Sequence, residues 1–262
     1  MISIVTAYHN RKDLFINTLK TINKFKGNNK IEVIAVDDCS SEEHRIEDLT
    51  VTFPFLKVIR VEKENKWYVN PCAVFNMGFK EVKGDVIIIQ NPECIHIGDL
   101  IEKASKIGEN EYFSFGCYSI NQEKTNLLKN SLEKDFELET LLNVIEPNYE
   151  PVTHDGDNGW YNHSIIRPVG YHFCSAITKK NIDDLGGFDE RFAHGIAFDD
   201  NEILVRIQKK GLNVKIINNP FVVHQWHYSS HNYEHLNVHE LIDKNRKLLE
   251  IIRQEPSWQS NK

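Results

Sequence analysis

The sequence predicts an α/β fold, a mostly parallel sheet with helices covering both faces. Three observations lead there. Short apolar runs suited to buried strands recur at residues 2–6, 31–36, 56–61 and 86–89, and parallel strands covered on both faces read as such continuous runs. Helical periodicity or helix-start signals fill two of the intervals between them, the pattern of βαβ units. With 262 residues, 40% of them apolar and 10% aromatic, the chain is long enough to bury a substantial core.

Taken in order, Ile2-Ser3-Ile4-Val5-Thr6 reads as the first strand. Residues 13–25 carry Leu14, Ile16, Leu19, Ile22 and Phe25 close to a 3.6-residue period, the mark of a helix with one apolar side. The second strand, 31–36, stops abruptly at Asp37-Asp38-Cys39-Ser40-Ser41, and the third covers 56–61. Residues 71–82 predict a helix capped by Asn70, with Pro71 at its first position, where a missing N–H costs nothing. Gly84-Asp85 leads into the fourth strand, 86–89. In a sheet of this kind ligands gather beyond the carboxyl ends of the strands, here residues 6–11, 37–41 and 91–93.

After Glu109 the rhythm fades. Residues 112–119 predict a strand, a charged segment runs to Pro147, and a loop-like stretch rich in Asp, Asn, His, Gly, Trp and Tyr continues through Val169. Within it, residues 154–163 are too aromatic for plain disorder and are expected to form an acceptor-binding loop. Residues 199–210 predict a helix closed by Gly211, with Ile203, Leu204 and Ile207 inward and acidic residues in the first turn. Two short strands, 214–217 and 221–223, precede a final amphipathic helix, 237–254, expected to dock on the domain.

A formal charge of −7 and a pI near 6.0 exclude a general nucleic-acid or anionic-membrane binder, since both partners attract clustered Lys and Arg. No apolar run approaches the ~20 residues that span a bilayer. Residues 2–7 are too short for a signal peptide and lack its basic flank, so the mature chain is expected to begin at Met1. Cys39, Cys72, Cys94, Cys117 and Cys174 are odd in number, far apart and without a Cys-x-x-Cys pair. They suit a reduced cytoplasmic setting, as small gap-fillers.

Chemistry concentrates at four places. Asp37-Asp38 stands at a strand end, where a carboxylate can accept from a ribose hydroxyl or a base N–H; the plainer reading is a cap for the next turn. Asn91-Pro92-Glu93 follows the fourth strand, so Glu93 offers a hard oxygen to a divalent cation at a fixed tip. His224-Gln225-Trp226-His227 can supply further ligands, and imidazole with carboxylate suits Mn²⁺ better than Mg²⁺, although with 12 histidines in the chain a His-x-x-His spacing also arises by chance. Asp199-Asp200-Asn201-Glu202 opens a helix whose dipole keeps a carboxylate ionised. Capping alone leaves the preceding Gly186-Gly187 and His194-Gly195 turns unexplained.

In order, Thr6-Ala7-Tyr8-His9-Asn10-Arg11, Val36 to Ser40, Gly84 to Glu93, Gly186 to Glu190 and Asp199 to Glu202 resemble the landmarks of inverting GT-A glycosyltransferases of the family-2 type, across most of the chain. The resemblance implies a Rossmann-like GT-A fold with a mixed, mostly parallel sheet. A glycosyltransferase domain would cover 1–236, with a nucleotide-binding half at 1–107 and an acceptor-binding half at 108–236, and the C-terminal helix and tail would take 237–262. It further implies a UDP-sugar donor, a glycan hydroxyl as acceptor and a Mn²⁺ (or Mg²⁺) cofactor. By matched position Thr6, Tyr8, Arg11, Asp37, Asp38 and Asn91 would serve the nucleotide, and Asp200 would be the base. Arg206 would match an arginine further along that helix. Glu93, His227 and, second, His224 would hold the metal.

The family usually has Asp-x-Asp where this chain has Asn91-Pro92-Glu93. One carboxylate is lost, which bears on metal dependence and keeps a non-catalytic, nucleotide-sugar-binding or scaffolding member as the alternative. A sugar nucleotidyltransferase should open on a glycine-rich phosphate loop, and residues 2–11 contain no glycine. The sequence leaves the donated sugar, the acceptor and homo-oligomerisation open.

Overall fold

The computed structural model describes residues 1–133, 135–154, 156–228 and 237–260. The first half follows the predicted rhythm: β1 (Ile2–Tyr8), α1 (Lys12–Phe25), β2 (Ile31–Asp38), the short α2 (Leu49–Thr52), β3 (Leu56–Val61), α3 (Cys72–Phe79) and β4 (Val86–Gln90). These four strands pair in parallel in the order β3-β2-β1-β4. In register Tyr8 lies beside Asp37, and Val5 beside Ile89. The segments that follow β1, β2 and β4 therefore emerge along one edge.

The second half is where the sheet becomes mixed. It comprises β5 (Cys94–Ile97), α4 (Leu100–Ser105), β6 (Glu111–Ser119), α5 (Gln122–Ser131), α6 (Leu138–Ile145), β7 (Gly159–Asn162), β8 (Cys174–Thr178), α7 (Lys179–Leu185), α8 (Asp199–Lys209), β9 (Asn213–His224) and α9 (Val238–Gln254). β8 inserts antiparallel between β4 and β6, β9 runs parallel to β6 and antiparallel to β5, and β7 pairs with β6.

Several expectations change here. The charged segment before Pro147 holds two helices; α5 buries only Thr125 and Leu128, too few apolar positions for a visible period, and its start is set by Asn121, whose side chain accepts from the Lys124 N–H. The two short strands near 214 and 221 are one strand, β9, whose register against β6 jumps from Ile217 to Phe221. Pro220, lacking an N–H, interrupts the ladder at that jump. Helix α3 ends at Phe79 rather than 82, and Asn70 caps it from two residues ahead, accepting from the Cys72 N–H at 3.0 Å.

Alternate residues of each strand face opposite sides, so Val5, Val36 and Ile89 join one core with Val74, Phe75 and Ile203, while Ile4, Val33 and Ile88 join another with Phe15 and Leu19. The final helix docks, as expected: Leu249 and Ile252 are buried in the first core, each worth about 1.5–3 kcal/mol in apolar burial, and Asn245 donates to the carbonyls of Phe192 and Ala197. The border expected at 236 lies outside the described residues. All five cysteines are free, four of them buried. Among the described residues no helix is long and apolar enough to cross a membrane.

Candidate functional site

Beyond the ends of β1, β2 and β4 lies a cavity of about 340 Å³ lined by Tyr8, His9, Arg11, Asp38, Asn91 and Glu93 on one side and by His172, Ala197, Asp199 and Asp200 on the other. Asp38 is fixed within it: Oδ1 accepts from the Tyr68 hydroxyl at 2.8 Å and Oδ2 faces Lys66 Nζ at 2.7 Å.

Asp37 does not share that position. Adjacent strand residues point to opposite faces, and Asp37 is fully buried, paired to Arg60 at 2.8 Å and accepting from the Ser40 N–H at 2.9 Å. It braces the turn and does not line the cavity. Thr6 is likewise buried outside the lining, its hydroxyl without a hydrogen-bond partner among the described residues. Tyr8 borders the cavity with its ring in the core; its hydroxyl donates to the His44 carbonyl at 2.6 Å, and burial keeps it un-ionised.

Glu93 follows the tight turn after β4, where the Asn91 carbonyl accepts from the Cys94 N–H. Register then brings in the histidines, because Cys94 of β5 pairs with His224 at the end of β9. Gln225 locks this corner: its side-chain N–H donates to the Glu93 carbonyl at 2.9 Å, and its side-chain oxygen accepts from Asn17 at 2.8 Å. Glu93 Oε1 lies 3.1 Å from His224 Nε2 and 3.7 Å from His227 Nε2, and Oε2 accepts from Arg11 at 2.7 Å. Glu93 is 2% exposed. Burial opposes its ionisation, but the Arg11 guanidinium and His224 hold its carboxyl well below the usual range.

These three side chains can hold a cation. Their ligand atoms lie within 4.8 Å of one another. The Tyr228 carbonyl, 2.9 Å from His227 Nδ1, assigns the proton to that nitrogen. Buried Nε2 is left with a lone pair and no hydrogen-bond partner among the described residues. Arg11, expected at the nucleotide, lines the cavity and also balances Glu93.

Asp200 sits in the first turn of α8, about a third exposed (34%). Gly186-Gly187 and Arg206 set the approach to this helix. A side chain at Gly187, with φ of +73°, would meet Asn76 Oδ1 at 2.3 Å. Arg206, matched by resemblance to an arginine further along this helix, is a buried brace: it pairs with Glu202 and donates to the carbonyls of Leu185 and Gly187.

Sequence reasoning missed His172. Its buried ring lies edge-on to Phe75 and Phe188, with Nε2 at 3.0 Å from Asp200 and 3.5 Å from Asp199. Burial disfavours its charge, but the two carboxylates outweigh that and raise it to about 9. Asp199 is further held by Asn70 at 3.1 Å. Burial and the neighbouring Asp199 push the Asp200 carboxyl up, against the pull of His172. A raised carboxylate is a better proton acceptor than a solvated one. The one signal for His172 was its place in Tyr171-His172-Phe173, just before an apolar run.

A second cavity, about 590 Å³, opens on the other side of Arg11, Asn91, Glu93 and Asp200, which line both. Its remaining wall includes Ser119, Tyr161, Arg167, Tyr171, Phe173 and Trp226, with His224 and His227. Tyr161 and Gly156, from the aromatic loop singled out in the sequence, belong to it; Asp155 of that loop lies outside the described residues.

A mixed, mostly parallel sheet flanked by helices, with a cavity at its strand ends, is the fold of GT-A glycosyltransferases. The family model "Glycosyltransferase like family 2" matches residues 2–240, and the chain belongs to that family. Among curated proteins it is similar to an uncharacterized glycosyltransferase, YfnE of Bacillus subtilis (strain 168), 23% identical over 87% of this chain and 65% of that protein. Among solved structures it resembles the mannosyltransferase PcManGT from Pyrobaculum calidifontis in complex with GDP-Man and Mn²⁺ (TM-score 0.58, 14% identity, 97% of this chain and 64% of that one). It also resembles residues 1–349 of S. aureus TarS in complex with UDP (TM-score 0.56, 13% identity, 85% and 59%). The chain thus spans somewhat less than two thirds of these relatives.

Proposed function

We propose that the chain is an inverting glycosyltransferase that moves a sugar from a UDP-sugar to a glycan hydroxyl, with Asp200 as general base. One observation carries this reading: Asp200 and Glu93 both line the wall common to the two cavities, where a donor in one and an acceptor in the other would meet. In a single displacement the acceptor oxygen bonds to the anomeric carbon as the bond to the diphosphate oxygen breaks, and the hydroxyl proton passes to Asp200. His172 holds the carboxylate in place and balances its charge before the proton arrives.

Asp38, Asn91, Arg11 and the Tyr8 backbone are the nucleotide-side groups, and the UDP and GDP-Man complexes of the structural neighbours support a nucleoside-diphosphate donor. Glu93, His224 and His227 would hold the metal, and the mixed nitrogen and oxygen set favours Mn²⁺. A divalent cation bound there offsets charge on the departing diphosphate. The buried, unpaired cysteines support a cytoplasmic setting.

The deciding experiment compares wild type with Asp200→Asn for UDP-sugar turnover and donor affinity. General-base loss should lower turnover by roughly 10²–10⁴-fold while affinity barely moves. Normal turnover by the variant would reduce Asp200 to a helix cap, and donor binding without turnover in wild type would favour the non-catalytic alternative.

A further inference from the structure

We propose that Arg167 forms a subsite for an anionic group, a carboxylate or phosphate, on the acceptor saccharide; this deepens the transferase reading and rests on it. Charges in the second cavity are otherwise matched. Glu93 meets Arg11 at 2.7 Å and Asp200 meets His172 at 3.0 Å. Arg167 lines the same cavity, yet among the described residues no carboxylate lies within ion-pairing distance of it. The one side-chain hydrogen bond it makes among those residues runs from Nη1 to the Tyr161 carbonyl at 3.0 Å. The other guanidinium N–H groups remain for a ligand, and a planar fork of donors suits a carboxylate or phosphate.

The guanidinium is also pre-positioned. Residues 163 and 167 close a tight bridge with N–O distances of 3.0 and 3.2 Å, inside which His163 Nδ1 accepts from the Ile165 and Ile166 N–H groups at 3.2 Å. Pro168 follows, and the Ser164 N–H is tied to Asn218 at 3.0 Å. The Arg167 guanidinium carbon stands over the Tyr161 ring, 6.0 Å from its centre, and Phe173 stacks on that ring at 5.1 Å. Holding a cation in place before binding reduces what association costs in entropy.

Two further features fit a sugar rather than a bare ion. Tyr161, Tyr171, Phe173 and Trp226 give the cavity aromatic walls on which the apolar face of a pyranose can pack. Ser119, 1% exposed, lines it with a hydroxyl that has no hydrogen-bond partner among the described residues.

The test uses the full chain with UDP present and a panel of matched saccharides, neutral members beside their uronate and phosphate counterparts, with UDP affinity measured in parallel. Acidic members should bind roughly ten- to a hundred-fold more tightly than their neutral partners, the span expected for a hydrogen-bonded charge. Arg167→Gln should erase that preference, Arg167→Lys should keep part of it, and UDP affinity should stay within about twofold in both. Absent preference in wild type, a preference that survives Arg167→Gln, or failure of every acidic saccharide to bind would overturn the proposal. A tenfold loss of UDP affinity in Arg167→Gln would overturn it too, by assigning the guanidinium to the donor diphosphate. Donor turnover by wild type, read separately, tests the transferase reading without affecting this comparison.

Discussion

His172 Nε2 stands 3.0 Å from Oδ1 of Asp200 in a pocket closed by two phenylalanine rings. Burial works against the imidazolium, and the adjacent aspartates overcome it and raise the group to about 9. Its folded value thus exceeds the ordinary ~6.5 of an unfolded chain. A group raised on folding stabilises the native state below its unfolded value, and that contribution is lost as pH climbs through the folded one. Melting temperatures of wild type and His172→Gln between pH 6 and 10 should converge from about 6.5 to 9. Parallel curves would show that folding does not raise the imidazole.

Mn²⁺ should raise the melting temperature, since a ligand that binds only the native state stabilises it. Glu93→Ala and His227→Ala should each abolish most of that rise. Because imidazole must be neutral to ligate, the Mn²⁺ effect should shrink as the solution is acidified. Metal stabilisation that persists in both variants would exclude this corner as the cation site.

The two adjacent aspartates at the end of β2 should separate cleanly. Asp38→Ala should weaken UDP binding roughly ten- to a hundred-fold by calorimetric titration. Asp37→Ala should leave affinity nearly intact and instead lower stability by about 1–3 kcal/mol, because the buried Ser40 N–H loses its acceptor while Arg60 keeps Glu47. The reverse pattern would exchange their roles.

Glu202 and Arg206 are each 1% exposed and paired within α8. Removing Glu202 leaves a buried guanidinium uncompensated, so Glu202→Ala should cost about 3–5 kcal/mol in urea unfolding. Donor affinity of the surviving folded protein should be unchanged, as neither residue lines either of the two cavities described above. A variant of wild-type stability would mean that solvent or a neighbour replaces the carboxylate.

Legibility in the sequence followed locality. Strands β1 to β4 were readable because each is a short, mostly apolar stretch bounded by polar or turn residues, and two of the intervals between them carry local helix signals. Strand β8 was not, since five residues inserted antiparallel beside β4 carry no local sign of that partner. His172 was lost with it, because only this insertion carries Tyr171 to Cys174 past the Asn91 turn and up to α8. Glu93, His224 and Asp200 stood out because each sits at the tip of a strand or the start of a helix. Whether Asp37 or Asp38 faced the cavity depended on the phase of the strand's alternation and on Arg60, a residue more than twenty positions away.

Arg11, Asn91, Glu93 and Asp200 form a partition used from both sides. Any molecule that shifts these side chains while filling one compartment changes the free energy of filling the other, and thermodynamic reciprocity makes the two effects equal. Under the transferase reading, donor and acceptor affinities measured one at a time would therefore be conditional quantities, each defined only with the occupancy of the opposite compartment stated.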